Sequence, residues 1–190
     1  AETMVLLGIG LVFFFQAMLA LIQYRSSAEA LQQIVYWSMG SLTRANWAAN
    51  GVLAAVLIIA LPILWALGWR LTALRLGDAR ATAMGINTSR LRVVVLIVVS
   101  LVAATTVAFA GIIGFIGLVG PHIARMLVGE DQRYFLPASM AAGAAVMCAA
   151  HAVSLMIKPG LAIPIGIVTS LLGVPFFIAI VMTRRRALWT

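Results

Sequence analysis

The sequence predicts an all-α polytopic membrane protein with about six transmembrane helices, a short interfacial helix on the outer side and a polar segment on the inner side. Three observations predict this class. Hydrophobic residues make up 64% of the 190 residues and charged residues only 9%, whereas soluble domains are about 45–50% apolar and about 25% charged. The charged residues separate long uncharged stretches. The basic residues also collect on one predicted face of the membrane. This composition excludes a soluble globule and a disordered chain.

The first part of the chain contains two predicted spans with a short helix between them. Met4–Tyr24 is uncharged and long enough to cross the bilayer, which takes about 20 apolar residues. It is not expected to be a signal peptide, because no basic residue precedes it and no small-residue cleavage site follows it. Apolar residues recur at helical spacing in Leu31–Met39, and Gly40 provides a stop signal, so an interfacial helix is expected there. The second span is expected at about residues 50–69.

Residues 71–92 are polar, and we name them the elbow. Asp78 is predicted to cap a short helix over Ala79–Met84, which Gly85 would stop in the left-handed conformation. The helix that follows has two candidate N-caps, Asn87 and Ser89.

The composition of the elbow has two interpretations. Its alanines and glycines would let another protein surface approach closely, while Arg75 and Arg80 could hold acidic groups of that surface. Alternatively, the elbow is a solvated basic loop that only sets the topology of the chain. The spacing of its residues leaves both interpretations open.

The uncharged stretch Val93–Ala124 is too long for one untilted span. Glycines and a proline in its second half predict a turn, which a membrane tolerates only where protein or a watery cavity covers the backbone. Two passes, at about residues 93–110 and 116–128, would place ten basic residues on one face and three on the other, whereas a single pass would divide them six against seven. The positive-inside rule therefore favours two passes, with both chain ends in the cytoplasm.

Glycine recurs every third residue in that stretch, so the glycines would nearly line one side of a tight helix. We predict a close-packing turn, with Pro121 starting the next helix and His122 in its first turn. His122 is expected to be hydrogen-bonded at the helix start, and a proton relay or a ligand is the alternative. The predicted structural turn comprises Gly111, Gly114, Gly117, Gly120, Pro121 and His122.

The last two spans are expected at residues 134–157 and 164–183. Small residues around Cys148 and His151 predict a tight seam with another helix. An ionisable residue within a span is a functional candidate, but His151 has no partner acid in the sequence nearby, so a structural role is favoured. Prolines including Pro159 indicate a late start of the last helix. A further small-residue seam is expected there, formed by Gly166, Ser170 and Gly173.

The sequence lacks the usual signatures of catalysis. It has no phosphate-binding loop, no H-E-x-x-H and no G-x-S-x-G motif, and its acidic residues all lie outside the predicted spans. No Cys/His set has metal-site spacing. We therefore expect no catalytic residue, metal site or cofactor in this chain, and no nucleic-acid partner. Uphill transport would take its energy from a partner.

Three segments, in this order along the chain, resemble one family. They are L-x-L-G-D-A-R-A-T-A-M-G at Leu74–Gly85, G-x-I-G-F-I-G-L-V-G-P-H-I-A-R at Gly111–Arg125, and P-I-G-x-x-T-x-x-L-G-x-P-F-F at Pro164–Phe177. These segments are similar to those of the membrane permeases of the iron-siderophore, haem and cobalamin ABC importers, the FecCD-type family. The similarity runs along nearly the whole chain.

This resemblance implies an architecture and partners. Each permease of the family has ten helices and works in a homo- or heterodimer on two ATP-binding subunits, and a periplasmic binding protein delivers the substrate. The six helices here would match the fifth to the tenth. An iron(III)-siderophore is the expected cargo across the bacterial inner membrane, with haem or cobalamin as alternatives. ATP and Mg would bind the partner subunit only.

The resemblance also implies roles for particular residues. Residues 71–92 would couple to the ATPase through Arg75, Leu76, Gly77, Asp78, Ala79, Arg80, Ala83 and Gly85. The first span and the short helix would line and gate the central path, with the polar residues Gln16, Gln23, Ser26 and Ser27. Arg25 and Arg44 could meet acidic groups of the binding protein. Two other classes stay open, a secondary carrier or channel and an intramembrane enzyme using His122 or His151.

Overall fold

The computed structural model describes residues 2–157 and 163–186. These residues form nine helices and no strand: α1 Glu2–Arg25, α2 Ala28–Ser38, α3 Trp47–Ala66, α4 Gly68–Leu74, α5 Asp78–Ala83, α6 Thr88–Ala110, α7 Ile116–Val128, α8 Gln132–Ile157 and α9 Ile165–Arg186. The all-α prediction is confirmed. Pro159 and the predicted cytoplasmic C-terminus lie outside the described residues.

Four of the described helices, α1, α3, α6 and α8, are long and apolar enough to cross a membrane. The apolar parts of α7 and α9 are shorter, Ile116–Val128 and Ile165–Ile178. The 13 residues of α7 extend for about 20 Å, less than the roughly 30 Å of the hydrocarbon core. These helices support a multi-pass membrane protein, while six crossings stay a prediction.

The chain divides into two compact units, Ala1–Ser38 and Met39–Thr190. In the first unit, α1 and α2 are joined by a turn at Ser26 and Ser27. The Ser27 hydroxyl accepts a hydrogen bond from the backbone N–H of Ala30 (3.4 Å) and so caps α2. The helix predicted at Leu31–Met39 is confirmed, and it begins three residues earlier because of this cap.

In the second unit, α3 packs against α6, and α7 packs against α8 and α9. The contact between α7 and α8 is a small-residue seam. A Cβ atom on Gly120 would lie 3.1 Å from the backbone of Gly143 and 3.2 Å from the carbonyl oxygen of Ser139, so even a methyl group would push the two helices apart by a few tenths of an ångström. The seam predicted in the helix that carries Cys148 and His151 is confirmed, with α7 as its partner.

The glycine-rich stretch forms a turn, but the helix after it does not start where it was predicted. α6 ends at Ala110 with Gly111 (φ 78°) in the C-cap position, and α7 begins at Ile116 after Phe115, whose φ is 65°. Pro121 and His122 therefore lie inside α7, and the prediction that they start the helix is wrong. A proline inside a helix loses one backbone hydrogen bond.

The four glycines are divided between two conformations. Gly117 and Gly120 lie in α7, whereas Gly111 and Gly114 lie in the turn before it. The prediction that all four line one helix is therefore wrong. The turn interrupts the three-residue spacing because Phe115 adopts the left-handed conformation between the second and third glycine.

The first half of α9 packs through its glycines. The backbone N–H of Gly166 donates to the Met39 carbonyl oxygen (3.1 Å). A Cβ atom on Gly166 would collide with that carbonyl, and one on Gly173 would collide with the Phe115 ring. The small-residue seam predicted in the last helix is confirmed at these two glycines.

Candidate functional site

The elbow is folded from short helices, and it begins earlier than predicted. α3 ends at Ala66, and after Leu67 the chain continues as α4 to Leu74. The predicted span of residues 50–69 therefore includes the start of α4, and the predicted boundary at residue 71 falls inside that helix. The break falls at Leu67, and the buried Gly68 is the first residue of α4.

The start of α5 differs from the prediction. Gly77 occupies the N-cap position with φ 101°, and Asp78 is the first helical residue, so no side chain caps α5. The prediction that Asp78 is the cap is wrong, because only glycine readily adopts this positive φ. The Asp78 carboxylate instead pairs with the Arg92 guanidinium at 2.7 Å. It therefore ties α5 to the second turn of α6.

The end of α5 and the start of α6 follow the prediction. The Ile86 N–H donates to the Ala81 carbonyl oxygen (3.1 Å) across Gly85, whose φ is 79°. This six-residue bond is the Schellman ending, so the left-handed stop at Gly85 is confirmed. The Asn87 side chain accepts from the Arg90 N–H (3.0 Å) and caps α6. Asn87 is thus the correct one of the two candidate caps.

A small apolar core lies under the elbow. Ala73, Ala81, Ile86 and Leu91 are buried together, and Ala81 is fully inaccessible to solvent. The elbow is therefore a folded unit with an inner and an outer side. All eight residues predicted to couple to an ATPase are exposed: Arg75, Leu76, Gly77, Asp78, Ala79, Arg80, Ala83 and Gly85.

A groove of about 510 Å³ lies between the start of α4 and the segment from the end of α5 to the start of α6. Its lining includes Trp69, Arg70, Met84, Asn87 and Arg90. Within the described part of the chain, the two arginine side chains form no ion pair. The groove thus offers apolar contact and positive charge next to the exposed side of the elbow.

The two arginines predicted to hold a partner's acidic groups differ in environment. Arg75 has an acidic partner inside this chain, because its Nη2 lies 3.0 Å from Oε1 of Glu130 and its Nη1 donates to the Glu130 carbonyl oxygen (3.2 Å). Arg80 is exposed and forms no ion pair with any described residue. The sequence alone did not reveal that Glu130 would pair with Arg75. The predicted topology does place Glu130 and its neighbour Asp131 on the same side of the membrane as the elbow.

The polar residues predicted for a central path lie in the first unit. Gln16 is exposed on α1, and Gln23 follows seven residues later, so both lie on the same face of that helix. Ser26 follows three residues further on, with its hydroxyl bonded to the Ile22 carbonyl oxygen (2.7 Å). Arg25 ends α1. Gln16 and Gln23 thus form a short polar stripe on α1, whereas Arg25, two residues after Gln23, lies on the other side of the helix.

Arg44 lies in the second unit, in the turn between the first unit and α3. It is exposed. Arg25 and Arg44 belong to different compact units, and their joint role in docking stays a prediction.

The two histidines lie on different helices, His122 on α7 and His151 on α8. His122 lies edge-on to the Phe176 ring, with ring centroids 5.8 Å apart, so it packs against α9 and does not cap a helix start. His151 is half-buried in α8. The described residues contain no group of three or more His, Cys, Asp or Glu side chains that could hold a metal ion.

The comparisons with known proteins identify the family. The model of the FecCD transport family matches residues 1–183. The chain belongs to the FecCD transport family. An ABC transporter permease of Methanocaldococcus jannaschii is 38% identical over 181 residues, which cover 95% of this chain and 52% of the relative. The hemin transport system permease of Yersinia pestis is 35% identical over 183 residues, covering 96% and 54%.

The fold agrees with a solved member. A metal-chelate type ABC transporter in an inward-facing conformation superimposes with a TM-score of 0.89 at 36% identity, covering 94% of this chain and 58% of that chain. This FecCD chain spans about half the length of the curated relatives it matches. Members of the family are transport permeases.

Proposed function

We propose that this FecCD chain is part of the transmembrane permease subunit of an ATP-driven importer, and that its cargo is a metal chelate, an iron(III)-siderophore. One observation carries the proposal. The elbow is a folded unit that exposes all eight candidate coupling residues between two helices of membrane-spanning length, α3 and α6. The similarity to a hemin permease and to a metal-chelate type transporter supports the chelate class. Haem and cobalamin are the alternative cargoes.

The proposed mechanism starts at the elbow. Two ATP-binding subunits seat against its exposed side, and ATP-driven closure pushes it as a lever. α3 and α6 are joined to it at Leu67 and Asn87, so they move with it. Close-packed helices shift as rigid bodies and open a path alternately to each side. The substrate passes without covalent change, and this chain acts as no enzyme.

The proposed path and partners follow from the same arrangement. A second permease subunit completes the path, to which α1 contributes the stripe of Gln16 and Gln23. A periplasmic binding protein delivers the chelate at the outer face. The elbow and the C-terminus face the cytoplasm of a bacterial cell.

Transport is tested with the full-length protein purified with its ATP-binding subunits and placed in proteoliposomes. We expect ATP-dependent uptake of a ⁵⁵Fe-labelled ferric hydroxamate, and less uptake of hemin or cobalamin. Asp78→Arg and Gly85→Trp should abolish uptake while the permease remains inserted. Met126→Ala, an exposed position on α7, is the control that should transport normally. Uptake without ATP, or unchanged uptake by both elbow variants, would overturn the proposal.

Topology is tested by cysteine labelling in a Cys148→Ser background. Met84→Cys in the elbow should react with a membrane-impermeant maleimide only after the cells are opened. Trp47→Cys at the start of α3, where the side chain is 91% exposed, should react in intact cells. Labelling of Met84→Cys in intact cells would show that the elbow does not face the cytoplasm, where ATP is hydrolysed.

A further inference from the structure

The loop between α7 and α8 holds the elbow through an ion cluster centred on Glu130. Glu130 contacts Arg75 through its carboxylate and through its backbone carbonyl oxygen. The same carboxylate lies 3.5 Å from Nε of Arg125 on α7. The Arg125 guanidinium stands over the Phe135 ring of α8, with 5.9 Å between its Cζ and the ring centroid. One carboxylate thus lies between an arginine of the elbow and an arginine of α7, and that second arginine packs on α8.

The elbow also contributes to the N-terminus of α8. Gln132 is the first residue of α8, and its N–H has no acceptor within the helix. The Thr72 hydroxyl of α4 accepts this N–H (3.2 Å) and donates to the carbonyl oxygen of Gly68 (3.1 Å). The next N–H, that of Arg133, is accepted by the Asp131 carboxylate (3.0 Å). The α8 terminus is therefore capped partly by its own loop and partly by the elbow.

We infer that Thr72, Arg75, Glu130 and Gln132 form a clamp that couples the elbow to the α7–α8 hairpin, with Glu130 as its positioning residue. The inference rests on the proposed function. The elbow is continuous in sequence with α3 and α6, and the loop between α7 and α8 gives it a direct contact with that hairpin as well. Because the Gly120–Gly143 seam is close-packed, a pull on the loop displaces the hairpin as one body.

The geometry distinguishes this clamp from an incidental surface ion pair. An isolated exposed pair contributes little, because solvent screens it and its side chains lose freedom. Here Arg75 contacts both the side chain and the backbone of Glu130, and the neighbouring contact uses an otherwise unpaired helix-terminal N–H. Four groups on two segments, 55 and 60 residues apart in sequence, are joined within one small area.

The first experiment measures position without any cargo. Spin labels at Met84→Cys and Leu127→Cys, both exposed, are placed in the full-length Cys148→Ser protein, and their distance distribution is recorded at rest. Glu130→Gln should broaden and shift the distribution. Glu29→Gln, the same substitution at an exposed position of α2, is the matched control and should leave it unchanged. An unchanged distribution in Glu130→Gln overturns the clamp.

The second experiment measures coupling in proteoliposomes with the ATP-binding subunits and ⁵⁵Fe-labelled ferric hydroxamate. Glu130→Gln should retain those subunits and hydrolyse ATP, while the chelate transported per ATP falls about fivefold. Thr72→Val, which keeps shape but removes the hydroxyl, should act in the same direction, and Thr72→Ser should restore coupling. The double variant Arg75→Gln/Glu130→Gln should transport as much chelate per ATP as Glu130→Gln alone.

The outcomes separate the clamp from the proposed function. Additive losses in the double variant, or an unchanged transport ratio in both Glu130→Gln and Thr72→Val, refute the clamp alone. Absence of ATP-driven uptake in the unaltered protein refutes the proposed function. In that case the spin-label distances still decide whether the clamp positions the hairpin.

Discussion

The seam between α7 and α8 permits a quantitative test, because two glycines of the same helix differ in their surroundings. A Cβ atom on Gly120 would lie 3.1 Å from both Cα and N of Gly143 and 3.2 Å from the Ser139 carbonyl oxygen. All three atoms belong to the backbone of α8, so no side-chain rotation can relieve the contact. A Cβ atom on Gly117 meets nothing within 4 Å.

The expected cost of Gly120→Ala combines two opposing effects. Overpacking a close contact destabilises by about 1–3 kcal/mol, and replacing an interior helix glycine by alanine returns about 0.5–1 kcal/mol. The net loss is about 1–2 kcal/mol. A domain of this size changes its Tm by roughly 2–4 °C per kcal/mol, so the Tm should fall by about 2–8 °C.

The assay is thermal unfolding of the detergent-purified protein, followed by intrinsic fluorescence. Gly117→Ala is the matched control and should be neutral or slightly stabilising. Gly143→Ala is a second control, because its Cβ would lie 3.8 Å from the Ile116 side chain, an ordinary contact. Equal Tm values for Gly120→Ala and Gly117→Ala would refute the close-packed seam. A Tm for Gly143→Ala below those of both other variants would refute it as well.

Three further predictions concern the elbow, and unfolding of the same purified protein checks each. Gly85→Ala should reduce the free energy of unfolding by about 1–2 kcal/mol through backbone strain alone, because the φ of Gly85 is 79° and an added Cβ would meet no other atom. Gly85→Asn should be less destabilising. Equal Tm values for Gly85→Ala and the unaltered protein would contradict the left-handed stop. Asn87→Ala should cost about 1 kcal/mol through the lost cap of α6, and Asn87→Asp or Asn87→Ser should preserve most of it; an equal loss in all three variants would count against capping. Arg92→Gln should reduce the free energy of unfolding by no more than about 0.5 kcal/mol, because the Arg92 and Asp78 side chains are both more than half exposed. In 1 M salt the difference from the unaltered protein should disappear. A large loss of stability that persists in salt would show that the ion pair is not screened.

The sequence predicted those parts of the fold that depend on composition and short-range chemistry. The spans follow from uninterrupted apolar stretches. The end of α5 at Gly85 follows from the tolerance of glycine for positive φ, and the start of α6 at Asn87 follows from the short Asn side chain, which can cap a helix. The family could be named because three local motifs survive in order. None of these inferences needs knowledge of which segments meet in space.

The errors have a common cause, because each involves a choice between two local signals that tertiary structure decides. Asp78 is a good N-cap residue, but Gly77 next to it takes the cap position, and the carboxylate pairs with Arg92 of α6 instead. Pro121 is a good helix starter, yet α7 starts earlier, at Ile116. The helix packs on α8 through Gly120, one residue before the proline, and no periodicity reveals that contact.

The clamp shows why the connection between the elbow and α7–α8 had to await the structure, and why its chemistry suits a moving part. Helix pairs joined by close-packed glycines resist sliding, since any displacement brings backbone atoms into collision. Ion pairs and hydrogen bonds at a partly exposed loop can lengthen or exchange partners with little steric penalty, so they can follow a lever through its stroke. If the elbow is that lever, directional polar contacts belong at its junctions and small-residue packing belongs inside the bodies it moves. The chain has this distribution, with Glu130 and Thr72 at the junction and Gly120 against Gly143 within the hairpin.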